Sequence, residues 1–535
     1  MSRPVDVRRA GALAELPLHP VLLAAVPVLF LFAQNAIQQV TLDPLWLPLG
    51  WALGGAIVAL AAGTLLFRDR RRGALLASVL VVLFFSFGHV WNVARESHGL
   101  TDRDSLAWLY GLIAIGAAFL VWRAGRWVVP ATHAANVLAI VLFGLNVVRV
   151  GQFAVGSTPP LAPAATSAVP ISTVASDLER RPDVYYIILD RYSSAETLRD
   201  VYDFDNRPFL DELEARGFTI AEDSWANYFK TSLSLVSSLS LDHLDGEALK
   251  AASGGGASFK PLHEALRARL AVPATFKSLG YEYVHIANTW EPTATNVDAD
   301  RVLRWSEGSE FSSAVVTTTA WSLTEPWVPP VEEVDLGEGV GPADLLREHT
   351  LYQLDRLAEV VERPGPTFAF AHLLLPHSPW RFNADGSFPP PEQVAGRSRD
   401  ANYLEHLRFT NARIIEVLDR LLDVPPGEEP VIILQADEGE FPVAFARNQA
   451  RFDWLSARPI QVQQKFGILN AFHLPGVDAA AVGVHDRITP VNAFRVVFNA
   501  YFDADLPMLP DTTYLSPSYG RMYDFVPYER PPTDP

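Results

Sequence analysis

The sequence predicts an α/β domain carried behind a helical transmembrane domain, and three observations predict it. Five apolar runs of membrane-spanning length crowd the first 152 residues. From residue 182 onward, short apolar runs alternate with helical patterns. Between them lies a stretch rich in Pro, Ala and Ser that shows no periodicity. The expected organisation is therefore a five-span transmembrane domain over 1–152, a linker over 153–181 and an α/β domain over 182–535.

The five runs are Pro20–Ala36, Leu45–Phe67, Gly73–Val93, Ser105–Trp122 and His133–Val150. Each is about 17–23 residues, enough to cross a hydrocarbon core ~30 Å thick. Five buried helices of a soluble core would carry more internal charge. A cleavable signal peptide is also excluded, because a second span follows the first at once. Arg3, Arg8, Arg9, Arg68, Arg70, Arg71, Arg72, Arg123 and Arg126 fall in segments that must share one side. The alternate loops hold only Arg95 and Arg103, beside Glu96, Asp102 and Asp104. The positive-inside rule places the arginine-rich side, and the N-terminus, in the cytoplasm. An odd number of spans then puts the C-terminal domain outside a cell membrane that it crosses several times.

Charge separates the two parts. Residues 1–152 carry net +5 and the remainder net −23, within a total of −18. No basic footprint exists for nucleic acid, so the expected partners are the lipid bilayer and a small or lipid-linked substrate. Cysteine is absent. That excludes disulfides, thiolate metal sites, a cysteine nucleophile and a sulfatase nucleophile made by oxidising cysteine. The C/S-x-P-x-R context that such chemistry requires is missing as well.

In the second part, Val184–Leu189, Tyr281–Ala287, the run from Thr367 and Val431–Leu434 read as strands. Residues 208–216, 344–362 and 402–422 read as helices, and another starts near Thr231. Strands alternating with helices imply a largely parallel sheet between helices. In such sheets ligands bind beyond the carboxyl ends of the strands. Asp190, His377 and Asp437-Glu438 all follow strands. Each alone is commonplace as a turn residue, a loop or a solvated acid; their shared position marks a candidate site. Thr231 adds a hydroxyl at a helix start. That position is ordinary for an N-cap, and it equally suits a nucleophile in the field of the helix dipole.

These motifs carry a resemblance. Pro182–Asp190, Gly217–Ala221 with Asn227-Tyr228 and Thr231, Leu373–His377 and Gln435–Gly439 resemble, in order, motifs of the sulfatase-like proteins of the alkaline phosphatase superfamily. The five-span layout is similar to that of the lipoteichoic acid synthase (polyglycerolphosphate synthase) family. The resemblance implies an alkaline-phosphatase-like catalytic domain. It implies Asp190 and Asp437 as metal ligands, Thr231 as nucleophile and metal contact, and His377 as a substrate contact. His285 and Trp290 fall where that family has a further substrate-lining segment. One departure matters: Glu438 stands where the family usually has histidine. If Glu438 is the fourth ligand, three carboxylates and a hydroxyl favour one hard divalent ion, with Mn²⁺ expected first and Mg²⁺ or Ca²⁺ as alternatives. Otherwise the change weakens metal binding and leaves a non-catalytic envelope protein. The other histidines, including His372 and His473, read as structural.

The expected function is a membrane-anchored metalloenzyme that transfers or hydrolyses a phospho group through a covalent phospho-threonine. A phospholipid headgroup or an envelope glycan or phosphoester would be its substrate. The alternative is a sulfuric- or phosphoric-ester hydrolase acting on soluble external substrates.

Overall fold

The computed structural model describes residues 16–35, 42–98, 103–155, 181–254, 257–268, 270–305, 310–324 and 342–530. The linker predicted over 153–181 lies almost wholly outside the described residues. The chain forms two compact units. One joins Met1–Ser157 to Gly308–Leu345, and the other joins Thr158–Glu307 to Leu346–Pro535.

The first unit is built from α1 (His19–Gln34), α2 (Asp43–Phe67), α3 (Arg70–His98), α4 (Arg103–Arg123) and α5 (Val128–Val155). Among the described residues, four helices are long and apolar enough to cross a membrane, and they coincide with α2 to α5. The first expected span is shorter. α1 has 16 residues, about 24 Å at the α-helical rise and so less than a hydrocarbon core. A side chain from α5 secures its start: Asn136 Oδ1 accepts the backbone N–H of Leu18 and of His19, both at 3.0 Å. Such interhelical polar contacts satisfy backbone groups that water cannot reach. The turn between α2 and α3 requires glycine. A Cβ on Gly73 would lie 2.4 Å from the backbone nitrogen of Thr64.

Residues 310–324, placed by sequence in the catalytic domain, belong to this first unit. They form a short helix (Glu310–Thr317) and a 3₁₀ turn (Ala320–Thr324). Their apolar side chains explain the placement. Phe311 and Val315 are buried in one cluster with Phe32 and Val150, and the Trp321 ring lies 5.3 Å from that of Trp51.

The second unit is α/β, as predicted. Its sheet holds β1 (Val184–Leu189), β2 (Phe218–Ile220), β3 (Glu282–Ile286), β4 (Arg301–Leu303), β5 (Thr367–Leu373), β6 (Val431–Ala436) and β7 (Asn470–His473). The strand order is β2-β7-β6-β1-β5-β3-β4. The five strands from β6 to β4 are parallel; β7 runs against them, and β2 pairs antiparallel with β7 at that edge. Full burial of β1, β5 and β6 explains their unbroken apolar runs, the pattern expected of strands covered on both faces. Helix α6 (Thr231–Ser240) begins where expected. Close packing also demands glycine at 439, since a Cβ there would lie 2.3 Å from the Gln464 carbonyl oxygen.

Topology is testable directly. A phosphatase fused at the C-terminus should be active and a fluorescent protein fused there dark. The reverse should hold for fusions in the arginine-rich turn around residue 70. Activity at both positions, or at neither, would overturn the assignment of sides.

Candidate metal and anion site

Three central strands in matched register build the site. Leu189 of β1 pairs with Leu373 of β5 and with Ala436 of β6. Asp190 and Asp437 therefore leave the sheet side by side, one residue beyond their strands. His372 pairs with Ile188, two residues before Asp190. Side chains alternate along a strand with period two, so all three fall on one face. Asp190, His372 and Asp437 are buried, and one ligand atom from each lies within 4.8 Å of the others. His372 Nε2 stands 3.7 Å from Asp190 Oδ2.

Burial without partners marks this trio. Asp190 Oδ1, His372 Nε2 and Asp437 Oδ2 are buried and have no hydrogen-bond partner. Orphaned buried polar atoms are costly unless something absent from the protein chain satisfies them. Burial, and then the neighbouring charge of Asp437, push the Asp190 carboxyl well above its usual range. Burial, and then Glu438, push Asp437 up to about 7. Burial lowers His372 to about 3, with His285 adding to the effect. A divalent cation would reverse the first effect, favouring ionised carboxylates, and would be served by the second, since a neutral imidazole is the form that ligates. The donor set fits such an ion.

The histidine is aimed by a hydrogen-bond chain from the loop after β3. Thr293 Oγ1 donates to Asn288 Oδ1 at 3.0 Å, which leaves the Thr293 oxygen to accept the His372 Nδ1 proton at 3.0 Å. Asn288 Nδ2 holds the His372 carbonyl at 2.9 Å. This tautomer frees Nε2. The opposite one, with Asn288 Nδ2 donating to Nδ1 across 3.1 Å, would place a proton on Nε2 facing Asp190; a bound cation selects the first.

Thr231 opens α6, and its hydroxyl lies near enough to the Asp437 carboxylate to lower that group's pKa. No side chain caps this helix, so its first N–H groups remain available to an anion. Thr231 is half-buried, whereas the next two hydroxyls, of Ser232 and Ser234, are buried and engaged. Ser232 Oγ meets His263 Nε2 at 2.8 Å, and Ser234 Oγ donates to the Tyr228 carbonyl at 3.1 Å.

Glu438, expected as a ligand, is not part of this group of three, and its Oε2 is likewise buried without a hydrogen-bond partner. Its Oε1 pairs with Lys465 Nζ at 2.7 Å and with Arg191 Nε at 3.5 Å. The backbone explains this. Gly439 N–H donates to the Lys465 carbonyl at 2.7 Å, which brings the lysine alongside. With His372 in the group and Glu438 outside it, the argument for a hard metal loses its premise. Two carboxylates and one imidazole suit Zn²⁺ as well as Mn²⁺. The reading of His372 as structural is likewise corrected. Sequence periodicity hid it, because it sits inside an apolar strand rather than at its end.

Beside the trio lies a cationic wall. Arg191, Lys465 and Lys230 surround the Phe441 ring, at 3.4, 3.9 and 4.6 Å from its centroid. Arg191 holds a left-handed backbone (φ 64°). Its N–H donates to Asp437 Oδ1 at 3.2 Å and its carbonyl accepts from Tyr403 Oη at 3.0 Å. Strain of this kind persists where neighbours over-determine it. Burial lowers Lys230 to about 7 and Lys465 to about 8, against the raising effect of Glu438. Glu440 faces Arg191 at 3.8 Å and also pairs with Arg399.

The remaining expected residues take different places. His377 is half-buried on the loop after β5; burial, then Arg191, hold its pKa well below the usual value. His285 is turned inward. Its Nε2 bonds the Thr293 carbonyl at 2.8 Å and its Nδ1 the Tyr283 hydroxyl at 3.1 Å, so neither nitrogen faces a substrate. Trp290 packs edge-on against His372, with centroids 5.6 Å apart. His473 bonds the Pro430 carbonyl at 2.8 Å.

No protein-family model matches the chain, and no curated protein matches it by sequence. Solved structures are similar to it at low identity. The C-terminal periplasmic domain of EcEptC from Escherichia coli is 13% identical, with 70% of this chain and 97% of that one covered and a TM-score of 0.42. The integral membrane lipooligosaccharide phosphoethanolamine transferase A (EptA) of Neisseria meningitidis is also 13% identical, covering 91% and 95%, with a TM-score of 0.40. A protein of the alkaline phosphatase superfamily from Vibrio parahaemolyticus is 12% identical, covering 68% and 78%, with a TM-score of 0.40. The roles of individual residues rest on the site's own geometry.

Metal analysis separates ligand from ion-pair partner. Asp437→Asn should abolish stoichiometric metal in the purified protein. Thr293→Val, which breaks the chain behind His372, should lower affinity by about 10–100-fold. Glu438→Gln should leave metal content intact and lower the unfolding temperature, since Lys465 loses its anion. Loss of metal on Glu438→Gln would restore Glu438 as a ligand.

Proposed function

We propose that the protein is a membrane-anchored, extracytoplasmic, metal-dependent enzyme that transfers or hydrolyses a phospho group through a covalent phospho-threonine on Thr231. The observation that carries this reading is the convergence at one strand-end level of three groups. They are the orphaned Asp190–His372–Asp437 trio, a half-buried hydroxyl at an uncapped helix start, and a wall of three cations.

Asp190, His372 and Asp437 would hold one divalent ion, with the Thr231 hydroxyl beside it. Such an ion acidifies a nearby hydroxyl and offsets charge on phosphoryl oxygens. The chain supplies the rest. Arg191 and Lys230 bind the non-bridging oxygens, and the first N–H groups of α6 add to that field. An incoming anion raises the pKa of Lys230 and so keeps it charged. Thr231 Oγ attacks phosphorus while the bond to the leaving oxygen breaks; the Thr231 proton passes to the nearby Asp437 carboxylate and from there to the departing oxygen, which leaves as the alcohol. Water or an acceptor hydroxyl then attacks the phospho-threonine and restores Thr231. His377, half-buried and close enough to Arg191 to feel its charge, would meet the leaving or accepting group. Transfer and hydrolysis share the first half of this sequence. The bilayer anchor favours a lipid-linked phosphoester such as a phospholipid headgroup.

Substitution at Thr231 tests the reading. Thr231→Ala should retain metal and fold and lose turnover by on the order of 10³-fold or more, while Thr231→Ser keeps part of it. Ser232→Ala should lower stability and spare chemistry. Mass spectrometry of acid-quenched enzyme, incubated with a phosphodiester substrate, should place the phospho group on the Thr231 peptide. A metal-loaded, fully active Thr231→Ala variant would sink the proposal.

A further inference from the structure

The first unit contains a cavity of about 500 Å³, lined by α2, α3, α4 and the inserted segment 310–324. Its side walls are two rows of small residues: Ala52, Gly55 and Ala59 on α2, and Ala107, Gly111 and Ala114 on α4. Each row recurs at helical spacing, so each forms one face of its helix. Between spanning helices such faces normally let two backbones touch. Here both rows line open space instead. A Cβ added to Gly55 or Gly111 would meet nothing within 4 Å. Phe84 of α3 lies on the cavity floor, and Trp321, from the inserted segment, also lines it.

The chemistry of the lining defines the occupant. Among the described residues, no charged side chain lines the cavity. The Tyr110 hydroxyl is engaged with Ser86 Oγ at 3.2 Å, and the Thr319 hydroxyl donates to the Val316 carbonyl at 3.0 Å. A cavity offering no free polar partners does not hold ordered water. It opens to the surface where Trp51, Gly55 and Gly111 are exposed. That surface continues into the outward face of α4, where Leu112 and Ile115 are 66% and 69% exposed, as expected of side chains wetted by lipid tails. Its volume lies in the usual range of ligand cavities, about 300–1,000 Å³. A helix ~10 Å across would fit for only about one turn. A slender hydrocarbon fits the slot between two faces without bulky side chains.

We infer that this cavity binds one acyl chain of a bilayer phospholipid, held between the small-residue faces of α2 and α4 and bounded by Trp321. The lipid also packs residues 310–324 onto the spanning helices. This inference stands apart from the reading of the metal and anion site, because its readout is cross-linking rather than turnover.

The test uses the full chain in vesicles of phosphatidylethanolamine and phosphatidylglycerol doped with a phospholipid bearing a diazirine midway along one acyl chain. After irradiation, cross-links should concentrate on peptides carrying 51–59, 107–114 and 310–324. Gly111→Phe, which fills the slot, should lower them several-fold. Ile115→Phe, on the outer face of the same helix, should leave them unchanged. If Gly111→Phe is not recovered folded, Gly55→Leu serves the same purpose from the opposite wall. Labelling spread evenly around the spanning helices, or cross-links that persist when the slot is filled, would overturn the inference.

Discussion

The structure of the second unit depends on the register of three parallel strands. β1 pairs with β5 and β6 over its full length, from Val184 to Leu189. Because Leu189 is level with both Leu373 and Ala436, the residues just beyond and just inside those ends share one plane and one face. A slip of one residue in β5 would turn His372 to the other face of the sheet. Complete burial of the three strands prevents such a slip, since it would place polar His372 among the side chains covering that face. The same interleaving carries a polar line along the site face below the trio, where Tyr186 Oη donates to Gln435 Oε1 at 2.9 Å and Gln435 Nε2 to Asn470 Oδ1 at 2.8 Å.

Much of this was legible in the sequence because it lies where chain direction changes. Asp190 and Asp437 end apolar runs and Thr231 begins a helical one, so their level relative to the sheet follows from the runs themselves. What was not legible depends on facing and on distant partners. His372 lies within the apolar run of β5, and nothing in that run distinguishes a histidine aimed at a cation from one packed in the core. That depends on its pairing with Ile188 and on Thr293 and Asn288 arriving from another loop. Glu438 is next to Asp437 in sequence, yet its Oε1 pairs with Lys465, 27 residues further along the chain. Residues 310–324 were placed with the second unit because the chain there sits between its strands and helices. Phe311, Val315 and Trp321 give them an apolar face that the first unit buries.

Glu438 has a different physical role from the one its position suggests. A carboxylate buried beside two others would raise the cost of ionising all three, and the elevated pKa values of Asp190 and Asp437 register that repulsion. Lys465 offsets it at 2.7 Å. A buried pair of this kind contributes little net stability compared with apolar packing. Its effect here is to hold Arg191 and Lys465 around Phe441, and therefore to keep positive charge beside the trio.

The charge balance that results favours an anionic substrate. A divalent ion among Asp190, Asp437 and neutral His372 leaves that part of the site without net charge. On the adjoining wall, Lys465, Arg191 and Arg399 stand against Glu438 and Glu440, an excess of one positive charge. Lys230 adds to it whenever protonated. Had Glu438 served as a ligand, the metal part would carry net negative charge and would repel a phosphoryl group. The histidine donor removes that repulsion. Thus the exchange of Glu438 for His372 in the donor set does more than alter metal preference: Glu438 offsets Arg191 and Lys465 instead of a metal, and the positive charge beside the trio rests on the excess of Arg191, Lys465 and Arg399 over Glu438 and Glu440, and on Lys230 when protonated.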